Sequence, residues 1–194
     1  MKLGLVMGTG TGAGIEIDMD LIREAEDLGF DSVWTSEAWG SDAISSASWV
    51  LAQTTKIKVG TGIIQMSART PAMAAMTAMT LQQLSGDRFI LGIGPSGPQV
   101  IEGWHGEPYG RPLTRTREYI DIIRKIEARD GPLIHDGHHY QIPRTGEGTT
   151  NLGKPLKGIL HSISPLKIVT GTIAPAGVRV SAEVADGMIP VFMN

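Results

Sequence analysis

The first residues along the chain that could bind a cofactor lie in a glycine-rich stretch, MGTGTGAG at positions 7–14. Gly8, Gly10 and Ala13 satisfy the loose pattern G-x-G-x-x-G/A, in which glycines let backbone N–H groups approach a pyrophosphate at the start of a helix. A dinucleotide-binding fold also has an acidic residue about 20 positions further on, and Glu37 stands roughly there. The stretch is equally compatible with an ordinary connection after a first strand, so the motif alone leaves both interpretations open.

Glu37 is also the first candidate for proton transfer. It lies in the sequence SEAW at residues 36–39, between Ser36 and Trp39. A carboxylate that is desolvated against an indole ring has a raised pKa, which suits a general acid or base. The alternative interpretation is a solvated acid in a loop, because perturbed carboxylates can also be purely structural.

Histidines form a second group of candidate residues. The run HDGHH at residues 135–139 invites a metal-site interpretation. However, alternating residues on an Asp-Gly hairpin point to opposite faces, and no fourth ligand is evident, so the sequence predicts no metal site. His105, within GWHG, is expected to pack or to form a hydrogen bond at the start of a helix rather than to act as a base.

The composition favours a small molecule as the binding partner. The 194 residues suit one domain, 1–194, and they carry 17 basic and 20 acidic side chains, a net charge of -3 without a basic block. This balance argues against nucleic-acid binding and against a polybasic membrane anchor. No stretch approaches the roughly 18 apolar residues of a membrane span. The absence of cysteine excludes disulfides and thiolate chemistry. We therefore expect a cytoplasmic protein with neither a membrane nor a nucleic-acid partner.

Short apolar runs alternate with stretches of helical period, which is the pattern of parallel strands joined by crossover helices. The predicted strands are 3–7, 31–37, 58–64, 88–94, 167–173 and 187–193, and the predicted helices are about 19–28, 41–54, 71–85, 113–129 and 177–185. Residues 131–166 are rich in Gly, Pro and His and lack a helical period. They are interpreted as an insertion that contains a hairpin at Asp136-Gly137.

Two fold classes accommodate this order of elements. A doubly wound sheet can consist of six strands, whereas a closed (β/α)₈ barrel has eight strands and eight helices. Polar or glycine-rich residues finish the predicted strands, in GTGTG, TSEAW, TGIIQ, GIGPSG and TGT. Such ends on many successive strands are typical of a barrel, because an open sheet concentrates its binding loops at one switch point. The pattern therefore favours an α/β fold of the (β/α)₈ TIM-barrel type, incomplete, with about six strands and five helices.

The most distinctive block of the chain is VGTGIIQMSARTPAMAAMTAMTLQQLSGDRFILGIGPSGPQVIEGWHG at residues 59–106. Three further segments accompany it, SEAWGSDA, RPLTRTREYIDIIR and AEVADGMIPVF. Together they resemble the luciferase-like monooxygenase superfamily, and most closely its coenzyme F420-dependent (deazaflavin) oxidoreductase branch. The resemblance implies a (β/α)₈ barrel, here truncated at its C-terminus, with a flavin or deazaflavin at the carboxyl ends of the strands. It also implies a homodimer or a larger assembly.

The resemblance further implies which residues surround the redox ring. Ser36, Glu37 and Trp39 would lie beside it at the end of the second strand, with Glu37 and Trp39 as the catalytic candidates. A bulge at the end of the third strand, with a non-prolyl cis peptide bond at Gly62-Ile63, would support the ring from behind. The bond is placed there by the resemblance, since a glycine within a strand often marks only an ordinary bulge.

Two loops are expected to hold the rest of the cofactor. In GIGPSG, residues 92–97, backbone N–H groups near Gly94 and Gly97 and the Ser96 hydroxyl would bind its phosphate or ribityl chain, although a tight turn alone would also explain the segment. The loop after the fifth strand would face the phosphate through Thr172 and Ala174. Relatives commonly have glycine at the position of Ala174. The alanine adds a methyl group where the backbone should approach the phosphate closely.

The function implied by the resemblance is hydride transfer between a deazaflavin, coenzyme F420, and a small organic substrate. If FMN binds instead, a flavin monooxygenase is the alternative, and a non-catalytic flavin-binding paralogue is a third. Relatives with the sequence S-D-H place a proton-transferring histidine where this chain has Ala38, so dehydrogenation of sugar phosphates by that route is not expected. On this interpretation the loop at 7–14 crosses the mouth of the barrel after the first strand.

Overall fold

The computed structural model describes residues 2–7 and 14–190, and strands alternate with helices along most of that length. The strands are β1 (Gly4–Val6), β2 (Ser32–Thr35), β3 (Lys58–Thr61), β4 (Ile64–Gln65), β5 (Phe89–Gly94), β6 (His135–Asp136), β7 (Gln141–Ile142), β8 (Ile168–Gly171) and β9 (Gly187–Ile189). The helices are α1 (Met19–Asp27), α2 (Ala43–Gln53), α3 (Pro71–Ser85), α4 (Pro98–Gly103), α5 (Pro112–Ala128) and α6 (Pro175–Val184).

The main strands pair in parallel and lie in the sheet in the order β1-β2-β3-β5-β8-β9, with the short β4 paired to β5. Neighbours in the sheet therefore follow one another along the chain, once β4 and the β6–β7 hairpin are set aside. A dinucleotide-binding sheet reverses its strand order at a switch point, and this sheet does not. The order is that of a (β/α)₈ barrel, of which the described residues supply six of the strand positions. The prediction of an incomplete barrel is confirmed.

Capping side chains begin α2 and α3, which lead away from the ends of β2 and β4. Thr70 accepts a hydrogen bond from the backbone N–H of Met73 at 3.2 Å, and Pro71 occupies the first position of α3. Gly86 ends α3 in the left-handed conformation, with φ of 65°. Asp42 caps α2 in the same way as Thr70 caps α3. These caps fix where both helices start, at the carboxyl edge of the sheet.

The hydrophobic core lies between the sheet and the helices. Four adjacent strands contribute fully buried residues to it, namely Val33, Val59, Leu91 and Ile168. The helical period of α5 predicts that Tyr119, Ile122, Ile123 and Ile126 point inward. The first three are 0% exposed, and Ile126 is partly buried against the core. The helices thus cover the sheet and leave the carboxyl ends of its strands free to form a site.

Two elements differ from the sequence prediction. The strand predicted at 58–64 is interrupted, because β3 ends at Thr61 and the chain turns at Gly62-Ile63 before β4 begins. A sixth helix, α4, lies between the fourth main strand and α5, and it begins with Pro98 in its first turn. The insertion at 131–166 contains the predicted hairpin, formed by β6 and β7.

Two predictions fall partly outside the described residues. The loop at 7–14 is described only at its ends, Met7 and Gly14, and the last predicted strand, 187–193, is described as far as residue 190. Within 2–7 and 14–190, no helix combines the length and the apolar character that crossing a membrane requires.

Candidate active site

Two clefts open at the carboxyl ends of the strands, and the segment 62–69 contributes residues to both. The apolar cleft has a volume of about 560 Å³ and is lined by Gly62, Ile63, Gly94, Pro95, Ser96, Tyr109, Pro112, Leu113, Gly171, Thr172, Ile173, Ala174, Ala176, Gly177 and Ile189. The polar cleft has a volume of about 290 Å³ and is lined by Glu37, Ala38, Trp39, Gly40, Ser41, Asp42, Gln65, Ala68, Arg69, Trp104 and His105.

Ile63 lies in the apolar cleft between two glycines of neighbouring strands. A Cβ atom added to Gly94 would lie 2.9 Å from Ile63 Cδ1, and one added to Gly171 would lie 2.9 Å from Ile63 Cγ2. Both distances are shorter than carbon contacts allow, so the isoleucine can lie across β5 and β8 only because neither glycine carries a side chain. The peptide bond Gly62-Ile63 is cis, as the sequence analysis expected.

The rim of the apolar cleft is held by contacts between loops. Ser96 adopts a left-handed backbone conformation with φ of 58°, and the Tyr109 hydroxyl donates a hydrogen bond to the Ser96 carbonyl at 3.1 Å. On the opposite rim, Gly177 leaves room for the Thr172 hydroxyl, which a side chain at Gly177 would strike. Both loops are therefore fixed relative to the strands that they follow.

The apolar cleft carries no charged side chain among the lining residues that the structure describes. Its walls are aliphatic, aromatic or glycine, and its polar groups are hydroxyls and backbone. Such a surface suits a flat, uncharged ring, because burying a charge without a partner is costly. A phosphate at its edge would depend on backbone N–H groups and hydroxyls.

The carboxylate of Glu37 is enclosed in the wall of the polar cleft, with its side chain 8% exposed. Its Oε1 accepts hydrogen bonds from the backbone N–H of Gln65 at 2.8 Å and from Arg69 Nη1 at 2.7 Å. Its Oε2 accepts one from the backbone N–H of Ala43 at 3.2 Å. Glu37 thereby ties the end of β2 to the start of α2 and to the chain before α3. This geometry supports a positioning role, and the catalytic role stays a prediction.

Arg69 contacts Glu37, Asp42 and Tyr119 in the polar cleft. Its second guanidinium nitrogen pairs with Asp42. Burial alone would raise the pKa of the Asp42 carboxyl, but hydrogen bonds from Ser45 and the charge of Arg69 outweigh it, so the pKa lies below its ordinary value. The Tyr119 hydroxyl donates to the Arg69 carbonyl at 3.1 Å, and burial raises the pKa of that phenol. The guanidinium is therefore fixed in place and its charge is balanced by two carboxylates.

Gln65 connects the two neighbouring loops of the polar cleft. Its side-chain Nε2 donates a hydrogen bond to the Ala38 carbonyl at 2.7 Å, and its Oε1 lies 2.6 Å from Nε2 of His105. Gln65 is 1% exposed, whereas His105 is half-buried. A buried amide with both ends bonded gives the imidazole a fixed neighbour.

The structure divides the predicted site residues between the two clefts. Glu37 and Trp39 line the polar cleft, and Trp39 is 66% exposed there. Ser36 and Gly97 are not among the lining residues of either cleft, since Ser36 belongs to a separate small recess and Gly97 directly precedes α4. The predicted residues that line the apolar cleft are Gly62, Ile63, Gly94, Ser96, Thr172 and Ala174.

Sequence reasoning missed Gln65, Arg69 and Gly171, and it assigned no chemistry to His105. Gln65 and Arg69 belong to QMSAR, which lies between the third strand and the Thr70 cap. Functional residues of a barrel gather at the carboxyl ends of strands, so position alone could have identified this segment. Gly171 lies in TGT, at the end of β8, and this strand end is also glycine-rich and polar.

The histidine-rich hairpin forms a separate cluster against α5. The Glu118 carboxylate accepts hydrogen bonds from the backbone N–H groups of His138, His139 and Tyr140 at 2.8, 2.9 and 3.1 Å. Burial alone would raise the pKa of Glu118, but these donors outweigh it and hold the pKa below its ordinary value. In the part of the chain that the structure describes, no three histidine or acidic side chains gather in a metal-binding arrangement.

The sequence of this chain is similar to those of known proteins. The family described as luciferase-like monooxygenase matches residues 4–194. A Mycobacterium tuberculosis protein, provisionally named a coenzyme F420-dependent oxidoreductase, is 50% identical over 195 residues, which are 100% of this chain and 56% of that protein. The 5,10-methylenetetrahydromethanopterin reductase of Methanolobus tindarius is 31% identical over 171 residues, 85% of this chain and 47% of that protein.

A solved structure shares the fold. The coenzyme F420-dependent tetrahydromethanopterin reductase of Methanopyrus kandleri superposes with a TM-score of 0.77 at 23% sequence identity, over 97% of this chain and 55% of that chain. The chain thus spans about half the length of the relatives that it matches.

Proposed function

Because the chain belongs to the luciferase-like monooxygenase family, we propose that it acts as an oxidoreductase that passes a hydride between the deazaflavin coenzyme F420 and a small organic substrate. The name of the relative at 50% identity supports the choice of coenzyme. The name of the relative at 31% identity, a reductase, supports the class of reaction. One structural observation carries the proposal. An uncharged cleft lies at the carboxyl ends of the strands, where Ile63 packs against two glycines.

The apolar cleft fits the ring of a deazaflavin. Its volume of about 560 Å³ lies in the range of cofactor and small-molecule sites. Gly94 and Gly171 lack a Cβ, so Ile63 can lie across β5 and β8 and offer a flat ring an aliphatic face. The polar tail of the coenzyme would leave past Ser96 and Thr172, where hydroxyls and backbone N–H groups are available.

When bound, a deazaflavin supplies two-electron hydride transfer. The residues of the chain supply orientation and exclusion of water, which are the usual contributions of a protein to such a reaction. Ile63 would set the plane of the ring, and the hydrogen bond from Tyr109 would hold the Ser96 loop over its edge. The polar cleft would receive the polar end of the substrate, between the exposed indoles of Trp39 and Trp104.

Titration of the purified protein with coenzyme F420, FMN and NADPH, each followed by absorbance and fluorescence, tests the proposal. We expect coenzyme F420 to bind and FMN to bind more weakly. Binding of FMN with consumption of oxygen would instead support a flavin monooxygenase. A folded protein that binds neither would support a non-catalytic paralogue, and binding of NADPH alone would contradict the assignment of the apolar cleft.

We further propose that two copies of the chain associate through the outward faces of α2 and α3. Neither helix contains a charged residue. Trp49, Met73, Met76 and Leu84 project from these helices and are 53% to 80% exposed. Large apolar side chains on neighbouring uncharged helices are typical of an interface between chains rather than of a free surface.

Sedimentation velocity of Met76→Lys tests this homodimer. The charge should shift the protein from dimer to monomer, because a buried lysine at a two-fold interface is repeated on both chains. Leu28→Lys is the matched control, since Leu28 is 71% exposed and lies next to the charged end of α1. A wild-type monomer, or a Met76→Lys dimer, would contradict the interface. The cytoplasmic location stays a prediction, which cell fractionation can check.

A further inference from the structure

We propose that Arg115 is a positioning residue that holds Tyr109 in the wall of the apolar cleft. It does so by joining the segment 106–110, which carries Tyr109, to Ser67 in the segment 62–69. This role rests on the proposed function, because it concerns the affinity of the apolar cleft for the deazaflavin.

Arg115 is a buried cation that is bound by neutral partners. It lies near the start of α5 and is 9% exposed. Its Nη1 donates a hydrogen bond to the Ser67 hydroxyl, and its Nη2 donates one to the Pro108 carbonyl at 2.9 Å. In the described part of the chain, no carboxylate forms an ion pair with it.

Stability alone does not explain an arginine at this position. A buried charge is costly when no opposite charge balances it. Apolar side chains of similar volume often replace buried charged groups without a loss of stability. The guanidinium of Arg115 is therefore better explained by what its two hydrogen bonds hold in place.

The two acceptors of Arg115 belong to segments that reach both clefts. Ser67 lies within 62–69, which contributes residues to both. Pro108 lies between His105, which lines the polar cleft, and Tyr109, which lines the apolar cleft. A guanidinium presents its N–H groups in one rigid plane, so a single arginine fixes the distance between the two segments. A lysine has one nitrogen on a flexible chain and does not fix it in this way.

The segment 106–110 depends on such bonds because little of it is buried. Four of its five residues are exposed, and Tyr109 is half-buried. Gly106 and Gly110 have φ of 68° and 64°, the left-handed conformation that glycine adopts without strain. A side chain added at Gly106 would meet no atom within 4 Å. The segment thus runs between two glycine turns, and packing does little to fix its position.

Hydrogen bonds fix both sides of the peptide unit that joins Pro108 to Tyr109. Its carbonyl accepts from Arg115 at 2.9 Å, and its N–H donates to Glu102 Oε1 at 3.2 Å. Because a peptide unit is planar, these two bonds set the direction in which the Tyr109 side chain leaves the backbone. Glu102 is exposed and water competes for it, whereas Arg115 is buried. Arg115 is therefore the more persistent of the two anchors.

The position of Tyr109 affects the binding of a ring in the apolar cleft. Tyr109 lines that cleft, whereas Arg115 is not among the lining residues of either cleft. A wall that is already ordered costs no further conformational entropy when a ligand binds. Without Arg115, the peptide unit can turn between the two glycines, and a bound deazaflavin has to order Tyr109 again. Arg115 thus acts on the coenzyme through Tyr109.

Amide hydrogen exchange of the cofactor-free protein, followed by nuclear magnetic resonance, tests the geometry. In Arg115→Met, exchange at the Tyr109 amide should be about fivefold faster, the effect of losing roughly one hydrogen bond. The buried amides of Ile122 and Ile123 should keep their wild-type rates, which verifies the fold. Arg117→Met is the matched control, since Arg117 is also on α5 but pairs with Glu183 at the surface. Unchanged exchange at Tyr109 in Arg115→Met would overturn the proposal.

Affinity for coenzyme F420 tests the role in binding. Arg115→Met should lower the affinity about fivefold, again the effect of roughly one hydrogen bond. Arg115→Lys keeps a charged donor and should lower it less, and Arg117→Met should leave it unchanged. In a Tyr109→Ala background, Arg115→Met should cause no further loss, because the side chain that it positions is absent. Loss by the same factor in both backgrounds would overturn the proposal, since Arg115 would then not act through Tyr109.

The outcomes separate this role from the proposed function. Failure of the wild type to bind coenzyme F420 overturns the proposed function and, with it, the role in coenzyme binding. Binding by the wild type with equal affinity in Arg115→Met overturns the role of Arg115 alone.

Discussion

The apolar and polar clefts lie at the same edge of the sheet but obtain their shapes by opposite means. The apolar cleft depends on the absence of side chains at Gly94 and Gly171, which makes room for Ile63. The polar cleft depends on bonds that are present, since Glu37 alone accepts three. An added methyl group should therefore damage the first cleft, and a removed acceptor should damage the second.

The two clefts also differ in charge. No described residue that lines the apolar cleft is charged, whereas the polar cleft contains two carboxylates and a guanidinium in contact. Changes of pH should therefore act on the polar cleft and leave the apolar cleft unchanged. The same division suits a neutral ring in one cleft and proton transfer in the other.

Replacing Glu37 by alanine should have the largest effect on stability. The change leaves Arg69 and two backbone N–H groups without their acceptor, and breaking a buried pair costs about 3–5 kcal/mol. Urea unfolding measures the loss. Asp20→Ala is the control, because Asp20 pairs with Arg23 but is 97% exposed, and such pairs contribute about 0.5 kcal/mol or less. A loss as small as that of the control would contradict the positioning role of Glu37 and favour its predicted catalytic role.

Replacing Gly171 by alanine tests whether the absence of a side chain at this position shapes the apolar cleft. The new Cβ would lie 2.9 Å from Ile63 Cγ2, and overpacking of this kind costs about 1–3 kcal/mol. Affinity for coenzyme F420 should fall by about tenfold, a loss of about 1.4 kcal/mol. Gly131→Ala adds the same methyl group where nothing lies within 4 Å, and it should change neither quantity.

The combination of Gly171→Ala with Ile63→Ala sharpens this test. Removing the isoleucine side chain removes the atom that the new methyl group strikes, so the two changes should couple in a double-mutant cycle. Strict additivity of the two losses would mean that Ile63 and Gly171 do not shape the cleft together.

Replacing Asp42 by asparagine should make the pH sensitivity of the polar cleft visible. The pKa of Asp42 in the folded protein is lowered from 3.8, so its carboxylate stabilises the fold fully above that value and the stabilisation is lost as the pH falls through the folded pKa. Asp42→Asn should cost about 1 kcal/mol at pH 7, since the pair with Arg69 is partly exposed. The difference from wild type should shrink below about pH 4. Urea unfolding across this range measures it, and a constant difference would contradict the assignment.

Most of the fold could be predicted from the sequence because local patterns determine it. A threonine followed by proline predicts the start of a helix, and a glycine predicts its end. Thr70, Pro71 and Gly86 occupy these places in α3. The strand at 58–64 could not be resolved into β3 and β4 by composition, because a glycine such as Gly62 within a strand often marks only an ordinary bulge. The resemblance to a family, rather than periodicity, indicated the turn at Gly62-Ile63.

The candidate site could be predicted only in part. The loops that form it follow from the strand ends, but the contacts within it join residues far apart in the chain. Arg69 reaches Glu37 from 32 residues away, and His105 reaches Gln65 from 40 residues away. Nothing local in GWHG distinguishes a packing histidine from one whose ring nitrogen is anchored by an amide. The tertiary structure supplies that distinction.

Replacing Tyr109 by phenylalanine should have the smallest effect. It tests whether a hydrogen bond also shapes the apolar cleft. Tyr109 donates the hydrogen bond to Ser96 at the rim of the apolar cleft, at 3.1 Å. Its removal should cost about 0.5–1 kcal/mol of unfolding free energy, because the Ser96 carbonyl can turn to water. Affinity for coenzyme F420 should fall by less than the Gly171→Ala change lowers it, since the walls of the cleft remain. A larger loss of affinity in Tyr109→Phe than in Gly171→Ala would mean that a polar contact, and not the absent side chains, shapes the apolar cleft.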